Sequence, residues 1–485
     1  MGSGRQRKLF SSKRFRLFAL LLCVYGFVTI VWWQSSGSAA DNYLHGHQFV
    51  VFSSDDWGRW TDAVPVWPDR ATFTQWLEDG NQMHHPVWGK CGAETQQDLI
   101  DFHEALQRIN GGGNNLWDTQ SNVPFRQRVA ITPYFIVGGP DYLAMKKAGC
   151  EPGISEAETC NYIERPFDVP RIDNPEETKK LKSIQHMYKK LYQEGWWHPE
   201  YHGRIHFDKF LWENLLKKGN VNAKKCFEKN LACADDYTYL RTENTMFNDW
   251  KDLLEWQKVG IQYFERFWGY KPTIYNCPHN ISHPQQFNVL DNLQHIVATE
   301  TYVEKTSKKI SYLDRVRFDG MVTWWNTTRQ LELVTSTLED KRQPFAILMW
   351  HAQNWIRAVY TTEESDQLRG IFLHSVDYLR RKHPEVVFVT SSELHQIRGR
   401  GHSIMRWPKN LVLRNYMQEN LRYKLDRETM SKLSGFSEEE PAVVLDLTSG
   451  LIVLEAQGKI GSYVTVPPDR EYYVGYDRKH ASLSV

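Results

Sequence analysis

Between residues 47 and 397, short apolar runs alternate with longer segments in which apolar residues recur at helical spacing. Short apolar runs are typical of buried strands, and a repeat of three to four residues is typical of a helix with one buried face. The pattern predicts strands at 49–52, 129–135, 272–278, 293–298, 345–351 and 386–390. It predicts helices at 95–109, 175–193, 247–267 and 365–380. This alternation favours an α/β fold, either a barrel or a doubly wound sheet.

The pattern changes after residue 397. The Arg-Gly-Arg-Gly segment at 398–401 predicts a linker, and apolar runs separated by Gly and Pro predict strands between residues 441 and 485. We therefore expect one large α/β domain at 47–397 and a smaller β-rich region at 398–485.

The N-terminal residues predict a membrane anchor. A basic tail at 1–16 precedes an uncharged apolar run at 17–33, which is just long enough to span a bilayer, and a polar stem follows at 34–46. Basic charge holds the short tail in the cytosol, which predicts a single-pass type II protein. Its large domain would then face either the lumen of an organelle or the cell exterior. We expect the membrane to be that of the Golgi or endoplasmic reticulum rather than the plasma membrane. A cleaved signal peptide is the alternative, because 38–40 offers small residues for cleavage.

Composition narrows the choice of partners. The 59 Lys and Arg against 58 Asp and Glu give a net charge of +1, which argues against nucleic acid as a partner. Hydrophobic residues make up 41% of the chain, enough for a large core. The 19 Trp and 23 Tyr suit that core, and aromatic rings also suit the flat faces of sugars.

Cysteine usage agrees with an oxidising compartment. Six cysteines lie outside the apolar run, and none forms a CxxC pair. Pairing neighbours along the chain predicts the disulfides Cys150–Cys160 and Cys226–Cys233, which would leave Cys91–Cys277. N-glycosylation sequons at 280–282 and 326–328 also favour a secretory compartment.

Three polar residues stand at the ends of predicted strands. Asp55 and Asp56 follow the run at 49–52, and His351 closes the run at 345–351. The carboxyl ends of parallel strands meet at one edge of the sheet, where α/β folds present their chemistry. Two adjacent carboxylates after a buried strand are costly unless a cation or hydrogen bonds compensate them. A solvated loop for the two aspartates and a structural role for His351 are the alternatives.

A pair of histidines completes the set. His202 and His206 lie four residues apart, so both imidazoles can point to one side of a helical turn and bind one metal ion. His198 and His202 have the same spacing, but Pro199 makes a helix through His198 unfavourable. We therefore prefer His202 and His206. One carboxylate with two imidazoles forms a three-ligand metal site that leaves positions open for water and substrate.

This order of motifs resembles the polysaccharide deacetylase family (NodB-homology, carbohydrate esterase family 4) over roughly residues 47–395. The resemblance implies a distorted (β/α)7 barrel. It also implies that Asp55 is the catalytic base and that Asp56, His202 and His206 bind a divalent metal, which we expect to be zinc. The family's late Leu-x-His motif resembles Met-Trp-His at 349–351, which implies that His351 is the catalytic acid.

The chain departs from the family at one motif. The family's Arg-x-Pro-Tyr corresponds best to Asn-Cys-Pro-His at 276–279. Asn276 therefore stands where the family has the Arg that pairs with the base.

The resemblance implies a metal-dependent deacetylase that removes N-acetyl groups from the amino sugars of a glycan. Trp57, Trp60 and Trp197 are candidates for stacking on its sugar rings. One alternative is a type II glycosyltransferase that holds Mn²⁺ and a nucleotide sugar at Asp55 and Asp56 or at 235–236. Another alternative is an inactive relative that only binds glycans.

Overall fold

A computed structural model describes most of the chain from residue 46 onward. The described residues are 46–58, 94–153, 159–170, 174–228, 230, 242–301, 310–313, 327–339, 344–352, 355, 362–438, 440–453 and 459–476. Among these residues no helix combines the length and apolar character needed to cross a bilayer. The predicted anchor at 17–33 lies outside the described residues, as do Trp60, Asn326 of the second sequon and residues 235–236.

Strands and helices alternate through the first part of the described chain. The strands are β1 (Gln48–Trp57), β2 (Ile131–Ile136), β3 (Gly138–Pro140), β4 (Glu164–Pro166), β5 (Glu200–Gly203), β6 (Ile274–Tyr275), β7 (Ala298–Thr299), β8 (Ser311–Tyr312), β9 (Phe345–His351), β10 (Val386–Phe388), β11 (His402–Arg406), β12 (Asn410–Asn415), β13 (Leu421–Lys424), β14 (Val443–Asp446), β15 (Leu451–Ile452), β16 (Tyr463–Val466) and β17 (Arg470–Gly475). The helices are α1 (Gln96–Ile109), α2 (Tyr142–Lys147), α3 (Pro175–Gln193), α4 (Lys209–Lys217), α5 (Val221–Glu228), α6 (Trp250–Trp268), α7 (Gln286–Asn292), α8 (Thr327–Glu339), α9 (Thr362–Lys382), α10 (Ser391–Arg400) and α11 (Arg427–Met430). Short 3₁₀ turns lie at Phe125–Gln127, Glu243–Thr245 and Pro278–Asn280.

The large sheet is parallel throughout, and β1 pairs with three of its strands. Strand β9 pairs with β1 from Phe49 to Asp55 along one edge. Strands β10 and β2 therefore share the other edge of β1, where β10 pairs with residues 48–50 and β2 with residues 52–57. From β2 the sheet continues through β5, β6, β7 and β8. The chain therefore has the predicted α/β class, with a curled parallel sheet of the kind that forms a distorted barrel.

Both faces of β1 are buried, which explains its unbroken apolar run. Val50 and Phe52 belong to the large core cluster that includes residues of α1, α3, α6 and α9. Phe49 and Val51 point the other way, into a smaller cluster with residues of β2, β6, β9 and β10. A strand held between two apolar layers places its carboxyl end with little freedom, and the candidate site lies at that end.

Two predicted strands are shorter in the structure. Of the run at 272–278, only residues 274 and 275 form a strand, β6. Of the run at 293–298, only the last residue belongs to a strand, since β7 begins at Ala298. Residues 278–280 turn away as a 3₁₀ segment, because Pro278 has no N–H to donate to a ladder.

The C-terminal region is rich in strands, as predicted. Strands β11, β12, β17, β14 and β15 form an antiparallel sheet, and β13 pairs with β16. Helix α10 continues through residues 398–400, where a linker was predicted, and ends at Gly401 with a φ of +72°. The linker prediction is therefore wrong: Arg and Gly fit the last turn of a helix that a left-handed glycine caps.

The cysteines follow the predicted pairing only in part. Cys150 and Cys160 form a disulfide, and Cys226 is disulfide-bonded. Cys277 is a buried free thiol, so the expected Cys91–Cys277 bond is wrong. Cys277 follows β6 in the wall of the sheet, and its backbone N–H donates to the Thr301 hydroxyl.

Candidate metal centre

The carboxyl end of β1 carries two buried carboxylates. Asp55 and Asp56 are only 3% and 2% exposed. The pairing of β1 with β2 shifts between Ser54 and Trp57, which is an irregularity of the bulge type and re-aims side chains at a strand end. Asp56 also has a φ of +70°, in the left-handed region that disfavours any residue with a side chain. Backbone strain of this kind is concentrated at functional sites.

Asp56 meets the two predicted histidines. Its Oδ1 lies 3.3 Å from Nε2 of His202 and 2.9 Å from Nε2 of His206. All three residues are buried, and one potential ligand atom from each lies within 4.8 Å of the others. The structure thus brings together the carboxylate and the two imidazoles that the sequence singled out.

This donor set fits a divalent transition metal. Imidazole nitrogen and carboxylate oxygen are common zinc ligands, and three protein ligands leave at least one coordination position open. The two imidazoles that contact the buried Asp56 carboxylate carry charge only when they are protonated, whereas a bound cation would balance the carboxylate with both imidazoles neutral. The chemistry of the donors therefore supports a metal site at Asp56, His202 and His206.

The two histidines reach the site without a helix. His202 lies in β5, and His206 follows in the turn after the strand, so the predicted helical turn is wrong. Gly203 has a φ of +144°, and this glycine conformation bends the chain back toward Asp56. The two rings end with centroids 5.4 Å apart.

The Asn276 backbone orients the first imidazole. Nδ1 of His202 donates to the carbonyl oxygen of Asn276 over 2.9 Å, which leaves Nε2 directed at Asp56. A second hydrogen bond of this type is the usual way in which a metal-binding histidine is held in one tautomer.

The Asn276 side chain contacts the neighbouring carboxylate. Its Nδ2 donates to Oδ2 of Asp55 over 2.9 Å, and its Oδ1 accepts from the Thr301 hydroxyl over 2.6 Å. The Thr301 hydroxyl also accepts from the backbone N–H of Cys277 over 2.8 Å. This chain of bonds determines which way the amide faces, so Asp55 receives an N–H donor.

Opposing effects act on the pKa of His202. Burial lowers this pKa, whereas the charge of Asp55, the hydrogen bond and charge of Asp56, and the Asn276 carbonyl raise it. In the protein without a bound cation, the net effect is a pKa above the usual value.

His351 ends β9 beside the same site. The register of β1 and β9 pairs His351 with Asp55. The backbone thus carries both predicted catalytic residues to one point on the sheet edge, and the acid role of His351 stays a prediction.

A third histidine contacts the cluster. The half-buried ring of His279 lies with its centroid 4.2 Å from that of His206. His279 and Asn280 have φ angles of +54° and +56°, so this turn is strained beside the site. Sequence reasoning noted His279 only as the counterpart of a family tyrosine.

Two of the predicted sugar-stacking residues lie in the core. The rings of Trp57 and Trp197 pack edge to face, with centroids 4.8 Å apart, and both contact Phe102. Neither residue is more than 1% exposed, so neither ring offers a face to a sugar. We therefore assign Trp57 and Trp197 to core packing, where large aromatic side chains are equally favoured.

Comparison with known proteins gives only remote likeness. No family model and no curated protein matches the chain. A protein of Pseudomonas aeruginosa assigned as a polysaccharide deacetylase matches with 8% identity and a TM-score of 0.35, covering 74% of this chain and 94% of its own. A Mycobacterium smegmatis protein of the same assignment matches with 12% identity and a TM-score of 0.32, covering 72% and 90%. A Bacteroides fragilis protein assigned as an alpha-galactosidase or melibiase matches with 11% identity and a TM-score of 0.21, covering 89% and 79%.

Proposed function

We propose that this chain is a metal-dependent hydrolase that removes N-acetyl groups from the amino sugars of a glycan. The observation that carries the proposal is the buried cluster of Asp56, His202 and His206, with Asp55 next to it at the same strand end. The order of these motifs, which resembles the polysaccharide deacetylases, supplies the substrate class.

The cluster would hold a divalent ion, which we propose to be zinc. An ion bound there supplies Lewis acidity that polarises the acetyl carbonyl. The remaining chemistry belongs to side chains next to the cluster.

Asp55 is placed to act as the general base. Its Oδ2 accepts from Asn276, so the carboxylate is held in one orientation, and its carboxyl group takes a proton from the attacking water. As water adds to the acetyl carbon, the carbon–nitrogen bond breaks and acetate leaves. The amine nitrogen must gain a proton, and we assign that donation to His351, which ends the strand paired with Asp55.

We also propose that the enzyme acts in the secretory lumen or outside the cell, as a type II membrane protein. The Cys150–Cys160 disulfide supports an oxidising compartment, because such bonds are rare in the cytosol. The membrane partner would be engaged by the apolar run at 17–33.

A pair of adjacent isosteric variants tests the proposal. Purified protein is stripped with a chelator and reloaded with Zn²⁺. Acetate release from N-acetylated chito-oligosaccharides is then measured beside the zinc content. Asp56→Asn should lose zinc and acetate release together. Asp55→Asn should keep zinc and lose at least about 100-fold in turnover, the contribution expected of a general base.

Each result bears on a separate part of the proposal. Full turnover in Asp55→Asn would refute the assignment of the base. Wild-type protein that binds zinc stoichiometrically but releases no acetate from any N-acetylated glycan would refute the deacetylase and leave a glycan-binding protein. Transfer from a Mn²⁺-bound nucleotide sugar would instead establish the glycosyltransferase.

A further inference from the structure

A buried glutamate lies beneath the turn that joins the two histidines. Glu243 is 0% exposed, and its two oxygens accept four N–H groups. Oε1 accepts from the backbone of Arg204 at 3.0 Å and from Nε2 of Gln257 at 2.8 Å. Oε2 accepts from the backbone of Ile205 at 2.9 Å and from Nε1 of Trp256 at 2.7 Å. Each oxygen therefore receives two donors.

Two of these donors belong to the segment between His202 and His206. The backbone N–H groups of Arg204 and Ile205 lie where β5 has ended, so no neighbouring strand accepts them. Buried backbone donors require a partner, and the Glu243 carboxylate provides one for each. The Glu243 carboxylate thus holds the backbone between His202 and His206 in place.

Gly203 is adapted to the same contact. A Cβ atom on Gly203 would collide with Oε1 of Glu243, and the φ of +144° also disfavours any side chain. The glycine and the glutamate are therefore complementary: the first leaves the space that the second fills.

The other two donors come from one helix. Trp256 and Gln257 are neighbours on α6, and the guanidinium of Arg204 stacks over the Trp256 ring, 3.7 Å from its centroid. Gln257 also accepts the hydroxyl of Tyr201 in β5 over 2.7 Å. Glu243 thereby ties the turn to a long helix, and a ligand supported by a rigid element keeps its geometry.

The charge of the group is essential to this arrangement. Burial is the largest effect on the Glu243 carboxyl and holds its pKa above the usual value, although the four N–H donors lower it. Only the ionised form has acceptor sites for all four donors, whereas a glutamine would direct its own NH₂ at two of them.

We infer that Glu243 is a positioning residue for the metal centre, whose carboxylate sets the separation of His202 and His206. The inference rests on the metal site of the proposed function and goes beyond it, because the four donors that Glu243 accepts come from Arg204, Ile205, Trp256 and Gln257 and not from a proposed ligand. Residues that orient metal ligands typically affect metal affinity by about 10- to 100-fold.

Glu200 provides a matched control. It is also 0% exposed and also receives four donors, from the backbone of Thr273 and Ile274 and from the hydroxyls of Thr273 and Ser392. Glu200 accepts hydrogen bonds at the start of β6 and not from the turn between His202 and His206. Glu200 lies on β5 two residues before His202, but none of its donors belongs to the turn, so Glu200→Gln breaks a comparable network and leaves the hydrogen bonds of the turn in place.

The test compares Zn²⁺ affinity and melting temperature in full-length, chelator-stripped Glu243→Gln, Glu200→Gln and wild-type protein. Both variants should melt at lower temperature. Only Glu243→Gln should bind Zn²⁺ about 10- to 100-fold more weakly, and its Co²⁺ absorption spectrum should change, because the ligand geometry has changed. Trp256→Phe removes a single donor to Glu243 and should weaken Zn²⁺ binding by a smaller factor.

Two outcomes would overturn the inference. One is Glu243→Gln with wild-type Zn²⁺ affinity, or, should that variant fail to fold, Trp256→Phe with wild-type affinity. The other is an equal loss of affinity in Glu200→Gln, which would reduce the effect to general destabilisation. Wild-type protein without any Zn²⁺ affinity would instead refute the metal site itself. Wild-type protein that binds Zn²⁺ but releases no acetate would refute only the deacetylase, because the readout here is metal affinity.

Discussion

The side-chain amide of Asn276 donates to Oδ2 of Asp55 over 2.9 Å. The backbone carbonyl of the same asparagine accepts from Nδ1 of His202. One residue therefore contacts the proposed base through its side chain and a proposed metal ligand through its backbone. These two contacts can be separated by mutation, because only the first depends on the identity of the side chain.

We expect Asn276→Ala to reduce turnover and to retain zinc. The substitution removes an N–H donor from a buried carboxylate, and a hydrogen bond to a charged group contributes about 1.5–3 kcal/mol, or roughly 10- to 150-fold in rate. The carbonyl that orients His202 remains. Parallel measurement of kcat and zinc content checks the prediction.

Thr301→Val is the matched control for this site. It removes the hydroxyl that donates to Oδ1 of Asn276, so the hydrogen bond that fixes the amide is lost while the amide itself remains next to Asp55. Turnover should fall by less than in Asn276→Ala. Loss of zinc from Asn276→Ala would show that the asparagine acts on the ligands and not on the base.

The end of β1 was predictable from the sequence because its signal is local. An apolar run buried on both faces and closed by Asp55 and Asp56 identifies a strand end at the carboxyl edge of a parallel sheet. The HxxxH spacing identified His202 and His206, although the backbone between them is a strand followed by a turn and not a helix. The spacing alone could not distinguish these conformations, since both allow two rings to converge.

The supporting residues have no local signal in the sequence. Asn276 is separated from Asp55 by 221 residues, and Glu243 is separated from Arg204 by 39. Only the topology of the sheet brings these groups together. Glu243 lies in no motif that indicates such a contact, whereas the family motif that corresponds to 276–279 indicated that Asn276 would lie near the base. Trp57 shows the opposite error: it was a candidate for sugar stacking because aromatic rings suit the faces of sugars, whereas its ring is buried in the core.

Gly203→Ala should lower both stability and zinc affinity. A Cβ at this position meets two penalties, a φ of +144° and a collision with the Glu243 carboxylate. Gly46→Ala is the control, since Gly46 has a φ of +76° but nothing within 4 Å of an added Cβ. Backbone strain alone costs of order 1 kcal/mol, so Gly46→Ala should lower the melting temperature slightly and leave zinc affinity unchanged. Equal effects of the two substitutions on zinc affinity would contradict the close fit of Gly203 to Glu243.

The raised pKa of His202 predicts opposite pH trends for the free and the zinc-bound protein. A pKa that is higher in the folded chain stabilises the fold while the imidazole is protonated. In the metal-free protein, this contribution to the free energy of unfolding should be fully present below the usual histidine pKa of about 6.5. It should be lost as the pH rises through the raised pKa of His202. Zinc requires the neutral imidazole, so zinc affinity should rise over the same interval.

The contribution of His202 can be isolated by difference. Melting temperatures of chelator-stripped wild-type and His202→Gln protein are compared from about pH 5 to about pH 8, the interval in which histidine titrates. The advantage of the wild type over the variant should shrink as the pH rises. An advantage that grows with pH in the absence of zinc would contradict the raised pKa.

Cys277 should be a free thiol that does not react in the folded protein. Burial raises its pKa to about 12, although hydrogen bonds with Thr301 and Tyr275 lower it. At pH 8 only about one thiol in ten thousand would then be the reactive thiolate, and burial also blocks access to it. Iodoacetamide should therefore modify Cys277 only after denaturation, as judged by mass spectrometry of its peptide, and non-reducing digestion should recover Cys150 linked to Cys160 as an internal control. Recovery of a Cys277 peptide linked to Cys91 would refute the free thiol. Rapid modification of Cys277 under native conditions would show that the thiol is accessible to solvent in the folded protein.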